Sequence, residues 1–189
     1  TTATLTVNQA VNSSYLGRMT GNVALTKGGV GVLTLGGSNT YTGTTTIDNG
    51  SLIINGRNLG GGQYVLDAGG TLGGTGLISG ALSVLAGGTL APGNAGAIGQ
   101  LTLNGDADLG GVLNIQLNSS GLGSSDLLSV TGTLDIGSAT LDFDLLAGAL
   151  DDEAFVFATY GQLVGTFDNI LDPPPGYLIN YSYGGNQIA

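Results

Sequence analysis

Residues 28–56 read GGVGVLTLGGSNTYTGTTTIDNGSLIING, and this stretch decides the fold. Three short runs within it alternate apolar with small polar residues and end at Gly, Asn or Asp: Val32–Leu35, Thr44–Ile47 and Ser51–Ile54. Alternation with a period of two, bounded by turn residues, is typical of half-buried β-strands. Because the strands are short and the Gly-rich corners recur closely, the stretch predicts a chain that coils and stacks each turn on the previous one.

The same residues resemble a known repeat. Gly-x-Gly-x-Leu-Thr-Leu begins at Gly29, Asn-Thr-Tyr-Thr-Gly-x-Thr-Thr-Ile begins at Asn39, and Gly-x-Leu begins at Gly50. A Gly-x-x-x-Leu-x-Lys-x-Gly lead beginning at Gly21 extends the pattern upstream. This order resembles the autotransporter-associated β-strand repeat of bacterial surface and secreted proteins, which include autotransporter passengers. The resemblance implies a parallel β-helix and an extracellular location.

Other alternating runs extend the pattern on both sides of the repeat. Residues 1–7 (TTATLTV) predict a strand whose Ala3, Leu5 and Val7 share one face. Shorter units at residues 63–68, 76–79, 81–86 and 89–92 predict rungs of roughly 18 to 25 residues. Period two also predicts which side chains point inward in the strands of the repeat and beyond it: Leu33, Leu35, Ile47, Leu52, Leu113, Ile115, Leu117, Leu141, Phe143 and Leu145.

The composition changes near residue 150. Seven aromatic residues follow, and Pro173–Pro175 cannot donate the N–H groups that a central strand needs. We therefore expect a single domain that is all-β, a right-handed parallel β-helix (β-solenoid) with an aromatic-rich C-terminal cap. Its predicted parts are β-helix coils at residues 1–149, with the repeat at 21–56, and a capping segment of the same domain at residues 150–189. The aromatic residues are Phe155, Phe157, Tyr160, Phe167, Tyr177, Tyr181 and Tyr183.

Composition excludes several classes of function. The 189 residues contain 13 acidic and 3 basic side chains, a net charge of -10, which opposes binding to nucleic acid. No His and no Cys are present, which excludes His-containing triads, imidazole or thiolate metal sites and disulfides. No apolar run approaches the roughly 20 residues of a membrane helix, so we expect no membrane insertion within this chain.

Carboxylate pairs are the remaining route to hydrolysis. Glycosidases place two acids roughly 5 to 10 Å apart across a sugar-binding cleft. Asp106 with Asp108, and Asp142 with Asp144, have i, i+2 spacing that would place each pair on one strand face. We expect these residues to be solvated on the outer face, opposite an apolar inner face. The sequence therefore predicts no catalytic residues and no enzyme activity.

Cofactor and metal sites are not predicted either. The acidic residues Asp151, Asp152 and Glu153, or the turn residues Asp48 and Asp67, offer oxygen atoms for a weakly held calcium ion, but the calcium-binding nonapeptide of Gly-rich solenoids is missing. We expect Asp48 and Asp67 to be turn residues that bond their own backbone. Lys27 is the only lysine, and we expect its side chain to be solvated near a turn. A covalent crosslink through Lys27 has no identifiable partner.

Three functions follow, in order of preference. The first is a secreted or cell-surface structural protein of bacteria, a stalk, fibre or matrix component that self-associates head to tail. The second is an adhesin or a module that binds surface glycans. Exposed aromatic side chains on the outer face would favour this function, whereas most aromatic residues lie in the predicted cap. The third is a polysaccharide-degrading enzyme, which would need basic residues near an acidic cleft. The sequence supplies only Arg18, Lys27 and Arg57.

Overall fold

The chain forms a parallel β-helix, and the residues that the structure describes contain no α-helix. The structure is a computed structural model, and it describes residues 2–118, 125–147, 150 and 153–189. Three sheets of eight strands run along the axis, and each rung contributes one strand to each sheet. The predicted all-β solenoid is therefore confirmed.

Strands are numbered in chain order and grouped here by sheet. The first sheet contains β1 (Ala3–Asn8), β4 (Val23–Gly28), β7 (Thr45–Ile47), β10 (Tyr64–Leu66), β13 (Leu82–Val84), β16 (Ala107–Leu109), β19 (Thr133–Asp135) and β22 (Gln162–Val164). The second contains β2 (Ser13–Tyr15), β5 (Val32–Leu35), β8 (Gly50–Ile54), β11 (Gly70–Gly74), β14 (Thr89–Pro92), β17 (Val112–Asn118), β20 (Thr140–Ala147) and β23 (Asn169–Leu171). The third contains β3 (Thr20–Gly21), β6 (Ser38–Tyr41), β9 (Arg57–Asn58), β12 (Leu77–Ser79), β15 (Gln100–Asn104), β18 (Leu127–Val130), β21 (Ala158–Thr159) and β24 (Gln187–Ile188).

Neighbouring strands pair in parallel, with one exception at the C-terminal end. There β24 pairs with β21 in the antiparallel direction. Strands β21, β22 and β23 still extend the three sheets in parallel, so the parallel stacking continues past residue 150. The division into residues 1–149 and 150–189 stays a prediction.

Rung length increases along the axis. In the early rungs, paired positions of the first sheet lie close in sequence, as where Tyr64 pairs with Leu82. The separation grows in the later rungs, where Ala107 pairs with Leu134 and Leu134 pairs with Leu163. Both of these later separations exceed roughly 25 residues, the upper limit of the predicted rung length. The predicted range is therefore too short for the last two rungs.

The extra residues lie at one corner, between the second and the third sheet. After β5, β8 and β11 this corner is short, at positions 36–37, 55–56 and 75–76. After β14, β17, β20 and β23 more residues separate the flanking strands, and those that the structure describes are 93–99, 125–126, 150, 153–157 and 172–186. These four longer segments are called the widened corner below. Insertions on one face of a solenoid are where such folds usually carry binding loops.

The core is a column of stacked aliphatic side chains. Eight of the residues predicted to face inward are buried: Leu33, Leu35, Ile47, Leu52, Leu113, Ile115, Leu141 and Phe143. Leu117 is also buried, as predicted.

One inward prediction is wrong because the strand concerned lacks a covering neighbour. Leu145 is 54% exposed, since β23 pairs only with Thr140–Asp142 and leaves the rest of β20 uncovered. In β1, Ala3 is exposed, Leu5 is 43% exposed and Val7 is half-buried, because β1 is the outermost strand of its sheet.

Aromatic rings pack together at the C-terminal end, as the composition predicts. The ring of Phe157 meets Phe143 edge-on at 5.6 Å between centroids and lies 6.5 Å from Phe167. Phe155 and Tyr177 form a second edge-on pair at 5.4 Å. The proline run follows directly after the end of β23, where the second sheet stops. These rings extend the aliphatic column with larger side chains at the last rungs.

Candidate functional site

Buried polar side chains are the feature of this molecule that chemistry could use. They form two groups within the described ranges. One lies in the second and third rungs and contains Lys27, Asn39, Thr45 and Asn58. The other contains Ser125 and Asp126 of the widened corner and Gln116 of the adjoining strand β17. Buried polar atoms are costly unless they are hydrogen-bonded, so each group must be explained by its partners.

Lys27 is enclosed by backbone carbonyl groups. Its side chain is 0% exposed, and its Nζ donates to Gly28 O at 2.9 Å, Gly29 O at 2.8 Å and Asn49 O at 3.1 Å. An ammonium group has three protons, and three carbonyl acceptors satisfy all of them. The amine therefore joins the corner after β4 to the corner after β7, one rung further on.

The local sequence places this lysine inside. Val23, Leu25 and Lys27 occupy alternate positions of β4, so Lys27 continues the inward face of that strand. Gly29 has a φ of 69°, and a Cβ there would collide with the backbone of Gln9, so only glycine lets the corner fold over the amine. The expectation of a solvated Lys27 side chain is wrong.

Burial and hydrogen bonding act in opposite directions on this amine. Burial lowers the pKa of Lys27 because it removes water from the charged form. The three carbonyl dipoles oppose that shift, since a neutral amine has only two protons to donate. No carboxylate takes part in these contacts, so the group acts as a hydrogen-bonded cross-brace between corners.

A second set of side chains crosses the core from the third sheet to the first. Asn39 Oδ1 accepts from the backbone N–H of Met19 at 2.9 Å, and Asn39 Nδ2 donates to Asn58 Oδ1 at 2.8 Å. Asn58 Nδ2 donates to the hydroxyl groups of Tyr64 at 2.7 Å and Tyr41 at 3.2 Å. The chain of hydrogen bonds thus joins four successive rungs, from Met19 to Tyr64.

The network ends at hydroxyl groups. The hydroxyl oxygens of Tyr41 and Thr45 lie 2.7 Å apart, and those of Tyr41 and Tyr64 lie 3.5 Å apart. Burial raises the pKa of both tyrosines, so the phenols stay protonated. A protonated phenol both donates and accepts, which the network requires. None of these groups faces a cleft, so the network supports the fold.

Asp126 is the central residue of the second group. Its Oδ1 accepts from the backbone N–H of Gly99 at 2.8 Å, and its Oδ2 accepts from that of Gln116 at 3.0 Å. The carboxylate thereby ties the first segment of the widened corner to β17. Gly93 has a φ of 84°, and a Cβ there would collide with Asp126 Oδ1, so the carboxylate lies directly against a glycine backbone.

Burial raises the pKa of Asp126 to about 6, although the backbone N–H groups of Gln116 and Gly99 oppose the shift. Next to it, Ser125 donates from Oγ to Val156 O at 2.8 Å. These two neighbouring residues connect three successive segments of the widened corner. A carboxyl group of this pKa titrates at mildly acidic pH, which makes it the one pH-sensitive tie in this part of the described chain.

Two apolar clefts adjoin this corner. One, of about 490 Å³, lies between Phe155, Tyr177 and Leu178 and has Glu153 at its edge. The other, of about 560 Å³, shares Phe143 and Tyr177 and reaches Asp172. The clefts hold apolar groups well, and the acidic residues at their edges disfavour anions.

The predicted carboxylate pairs do not form a catalytic site. Asp106 lies in a corner before β16 rather than on a strand, where its Oδ1 accepts from Thr133 N at 2.7 Å, so its predicted position is wrong. Asp108 and Asp144 are exposed on outer faces. Asp142 accepts from Asn114 Nδ2 at 3.1 Å on the neighbouring rung. None of the four lines either apolar cleft.

The acidic residues that the sequence offered for calcium lie at different places along the chain. Asp48 and Asp67 lie in corners directly after β7 and β10. Glu153 is exposed at the edge of the first cleft, whereas Asp151 and Asp152 lie outside the described residues. In the ranges that the structure covers, no three His, Cys, Asp or Glu side chains come together to hold a metal ion.

The sequence contains a pattern that identifies the residues we did not predict. Lys27, Asn39 and Asp126 each lie two residues from a buried residue on the same inward face, namely Leu25, Tyr41 and Leu128. A polar residue at an inward position of an apolar strand therefore indicates a buried polar contact. The identity of the partner was not predictable, because Lys27 and Asp126 bond backbone groups and Asn39 bonds Asn58 on the neighbouring rung.

Comparison with known proteins supports the repeat. Residues 25–54 match the model of the passenger-associated-transport-repeat family. This confirms the predicted resemblance to an autotransporter-associated repeat, and the matched residues include Lys27, Asn39, Tyr41 and Thr45. No curated protein matches the chain. No helix in the part of the chain described here is long and apolar enough to cross a membrane.

We predict that Lys27→Met lowers the free energy of unfolding by on the order of 2 kcal/mol, because three carbonyl groups lose their hydrogen-bond donor. Urea denaturation followed by circular dichroism measures the change. Arg57→Met is the matched control, since Arg57 is exposed and its loss should cost under about 0.5 kcal/mol. Equal effects of the two substitutions would contradict the cross-brace.

We predict that Asp126 makes the free energy of unfolding depend on pH. Its pKa in the folded state, about 6, lies above the ordinary value of 3.8, so the folded protein binds more protons between these values. Stability from this group is therefore present below about pH 4 and is lost as pH rises through about 6. Denaturation of the native chain and of Asp126→Asn across this pH range should show the loss in the native chain only.

The control for this measurement is Asp144→Asn, which removes an exposed carboxylate. It should keep the pH profile of the native chain. Parallel profiles for the native chain and Asp126→Asn would show that Asp126 does not titrate in this range.

Proposed function

We propose that this chain is a non-catalytic structural module of a secreted or cell-surface bacterial protein, in which the β-helix serves as a stalk, fibre or matrix component. One observation carries the proposal. In the matched repeat, four polar residues are buried and form hydrogen bonds within the chain: Lys27, Asn39, Tyr41 and Thr45. The repeat therefore uses its polar side chains to hold rungs together.

The surface supports the same role. Charged residues make up 8% of the chain, and the outward positions of β4, β5 and β7 include Thr26, Thr34 and Thr46. Small hydroxyl side chains on a parallel sheet suit a rod that acts through shape and stability. Eight strands per sheet give a rod of roughly 35 Å, at about 4.8 Å per strand. A spacer of this kind lengthens simply by adding rungs.

Enzyme activity has little support in this geometry. The carboxylates suggested by spacing point to solvent or bond to neighbouring backbone and amide groups. The matched repeat family is not a known family of enzymes. A polysaccharide-degrading enzyme therefore ranks last among the functions considered, and binding of nucleic acid is opposed by the net charge of -10.

Adhesion is the second candidate, and one observation favours it. The widened corner places four consecutive insertions on one edge of the rod, with apolar clefts and the partly exposed ring of Tyr183 beside them. Aromatic rings and neutral clefts suit uncharged sugars, whereas the acidic edges exclude anionic ones. A surface glycan bound here would make the chain an adhesin or a glycan-binding module.

The experiment that tests these functions uses a panel of soluble neutral and anionic polysaccharides, with release of reducing ends as the measure of turnover. We expect no turnover by the native chain or by the double variant Asp142→Asn, Asp144→Asn. Turnover that this double variant abolishes would contradict the structural function. Binding without turnover, lost in Tyr183→Ala and kept in Tyr15→Ala, would favour adhesion; Tyr15 is a similarly exposed tyrosine at the opposite end.

A further inference from the structure

Three Asn–Gly dipeptides lie at or beside corners of the solenoid, and a dipeptide of this kind can modify itself. They are Asn49–Gly50, Asn55–Gly56 and Asn104–Gly105. The asparagine is exposed in each pair. The backbone nitrogen of the glycine can attack the side-chain amide carbon of the asparagine, because glycine carries no side chain to obstruct the approach. The three pairs have different surroundings in the fold.

The first pair, Asn49 and Gly50, is arranged for this attack. The backbone N–H of Gly50 donates to Asn49 Oδ1 at 2.7 Å, which places the attacking nitrogen next to the side-chain amide. Gly50 has a φ of 66°, and a Cβ there would collide with the carbonyl oxygens of Gly29 and Gly31, so the fold requires glycine at this position. Two groups held in contact react faster than two freely moving ones, because part of the ordering has already taken place.

Lys27 brings a positive charge to the same dipeptide. Its buried ammonium group donates to Asn49 O at 3.1 Å, and this oxygen belongs to the peptide bond whose nitrogen is that of Gly50. When the nitrogen loses its proton, negative charge spreads onto the carbonyl oxygen, where a hydrogen-bonded ammonium group stabilises it. Lys27 therefore makes the Gly50 nitrogen easier to deprotonate, and the deprotonated nitrogen is the nucleophile.

The other two pairs lack this arrangement. Asn55 Oδ1 accepts from the backbone N–H of Thr75 at 3.0 Å and from its hydroxyl group at 3.3 Å, so this side chain is bonded to the next rung. The nitrogen of Gly56 donates to Leu35 O at 3.0 Å. The Asn104 side chain has no hydrogen bond within the described ranges, and the one lysine of the chain is bonded elsewhere.

We infer that Asn49 is a site of spontaneous deamidation, in which the backbone nitrogen of Gly50 attacks Asn49 Cγ and the Lys27 ammonium group assists. The Gly50 nitrogen gives its proton to water and forms the new N–Cγ bond, which closes a succinimide ring. The bond from Cγ to Nδ2 breaks at the same carbon. The leaving nitrogen takes a proton from water and departs as ammonia, so the step needs no oxidant and no further reactant.

Water then opens the ring at one of its two carbonyl carbons. Breaking the bond from Gly50 N to Cγ leaves aspartate, whereas breaking the bond from Gly50 N to the main-chain carbonyl carbon leaves isoaspartate. In the second product the oxygen that faces Lys27 Nζ becomes part of a carboxylate. That carboxylate pairs with the ammonium group, so we expect a larger share of isoaspartate in the folded chain than in the unfolded chain.

Mass spectrometry of the native chain, incubated in mildly alkaline buffer and then digested with trypsin, tests the site. Trypsin cleaves after basic residues, so residues 28–57 form one peptide that contains both Asn49 and Asn55. Asn55 is therefore the matched control within the same molecule. We expect Asn49 to deamidate about tenfold faster than Asn55 in the folded chain, and at a similar rate in urea, where the chain is unfolded and both pairs move freely.

Lys27→Met, with its fold checked by circular dichroism, distinguishes the effect of the ammonium group from that of a less stable fold. Loss of the charge should lower the Asn49 rate about threefold or more and leave the Asn55 rate no lower. Equal rates at Asn49 and Asn55 in the folded native chain would overturn the inference, and so would an Asn49 rate that stays the same or rises in folded Lys27→Met. The comparison within the native chain needs no variant, so it decides the matter even where Lys27→Met does not fold.

Discussion

Each rung of this β-helix bonds its backbone to the rungs on either side, and its inward side chains share one narrow core. A buried polar atom is costly unless it finds a partner within the column, because water does not reach it. Among the described side chains, Gln116 Oε1 is buried without a hydrogen-bond partner. Lys27 meets the requirement with three carbonyl groups, and the Asn39, Asn58 and Tyr64 side chains meet it with one another. Gly29 makes the first solution possible, since its φ is 69° and a Cβ there would collide with the backbone of Gln9.

These polar contacts have a consequence for strand register. When one strand shifts by two residues along its neighbour, an alternating pattern still keeps its apolar side chains on the inner face. In strands rich in Leu, Thr and Gly, apolar contacts alone therefore specify the register weakly. A slip of two would move Asn39 away from Asn58 and Lys27 away from the corner carbonyls, leaving buried groups unpaired. The penalty for an unpaired buried group, about 1 to 3 kcal/mol, then selects the native register. The buried polar residues of the matched repeat thus select one register between neighbouring rungs, where its apolar residues would allow several.

Sequence reasoning recovered the architecture because period two and glycine corners are local features. The inward faces of β5, β8, β17 and most of β20 followed directly, whereas Leu145 failed because its exposure depends on how far β23 extends. Lys27 and Asp126 failed for a different reason. Both bond backbone groups, which every residue type carries, and Asn49 O, Gly99 N and Gln116 N belong to other corners or strands. The alignment of four insertions on one edge likewise needed the observed rung boundaries.

Hydrogen exchange at the Met19 amide tests the role of the buried network most directly. Met19 lies in the outermost rung, between exposed neighbours, and its N–H is bonded to the Asn39 side chain. Residue-resolved exchange should show a slow Met19 amide in the native chain and a fast one in Asn39→Leu, with no change in Asn104→Leu, where an exposed asparagine is replaced. A Met19 amide that exchanges as fast as Arg18 in the native chain, or equally slowly in Asn39→Leu, would contradict the account.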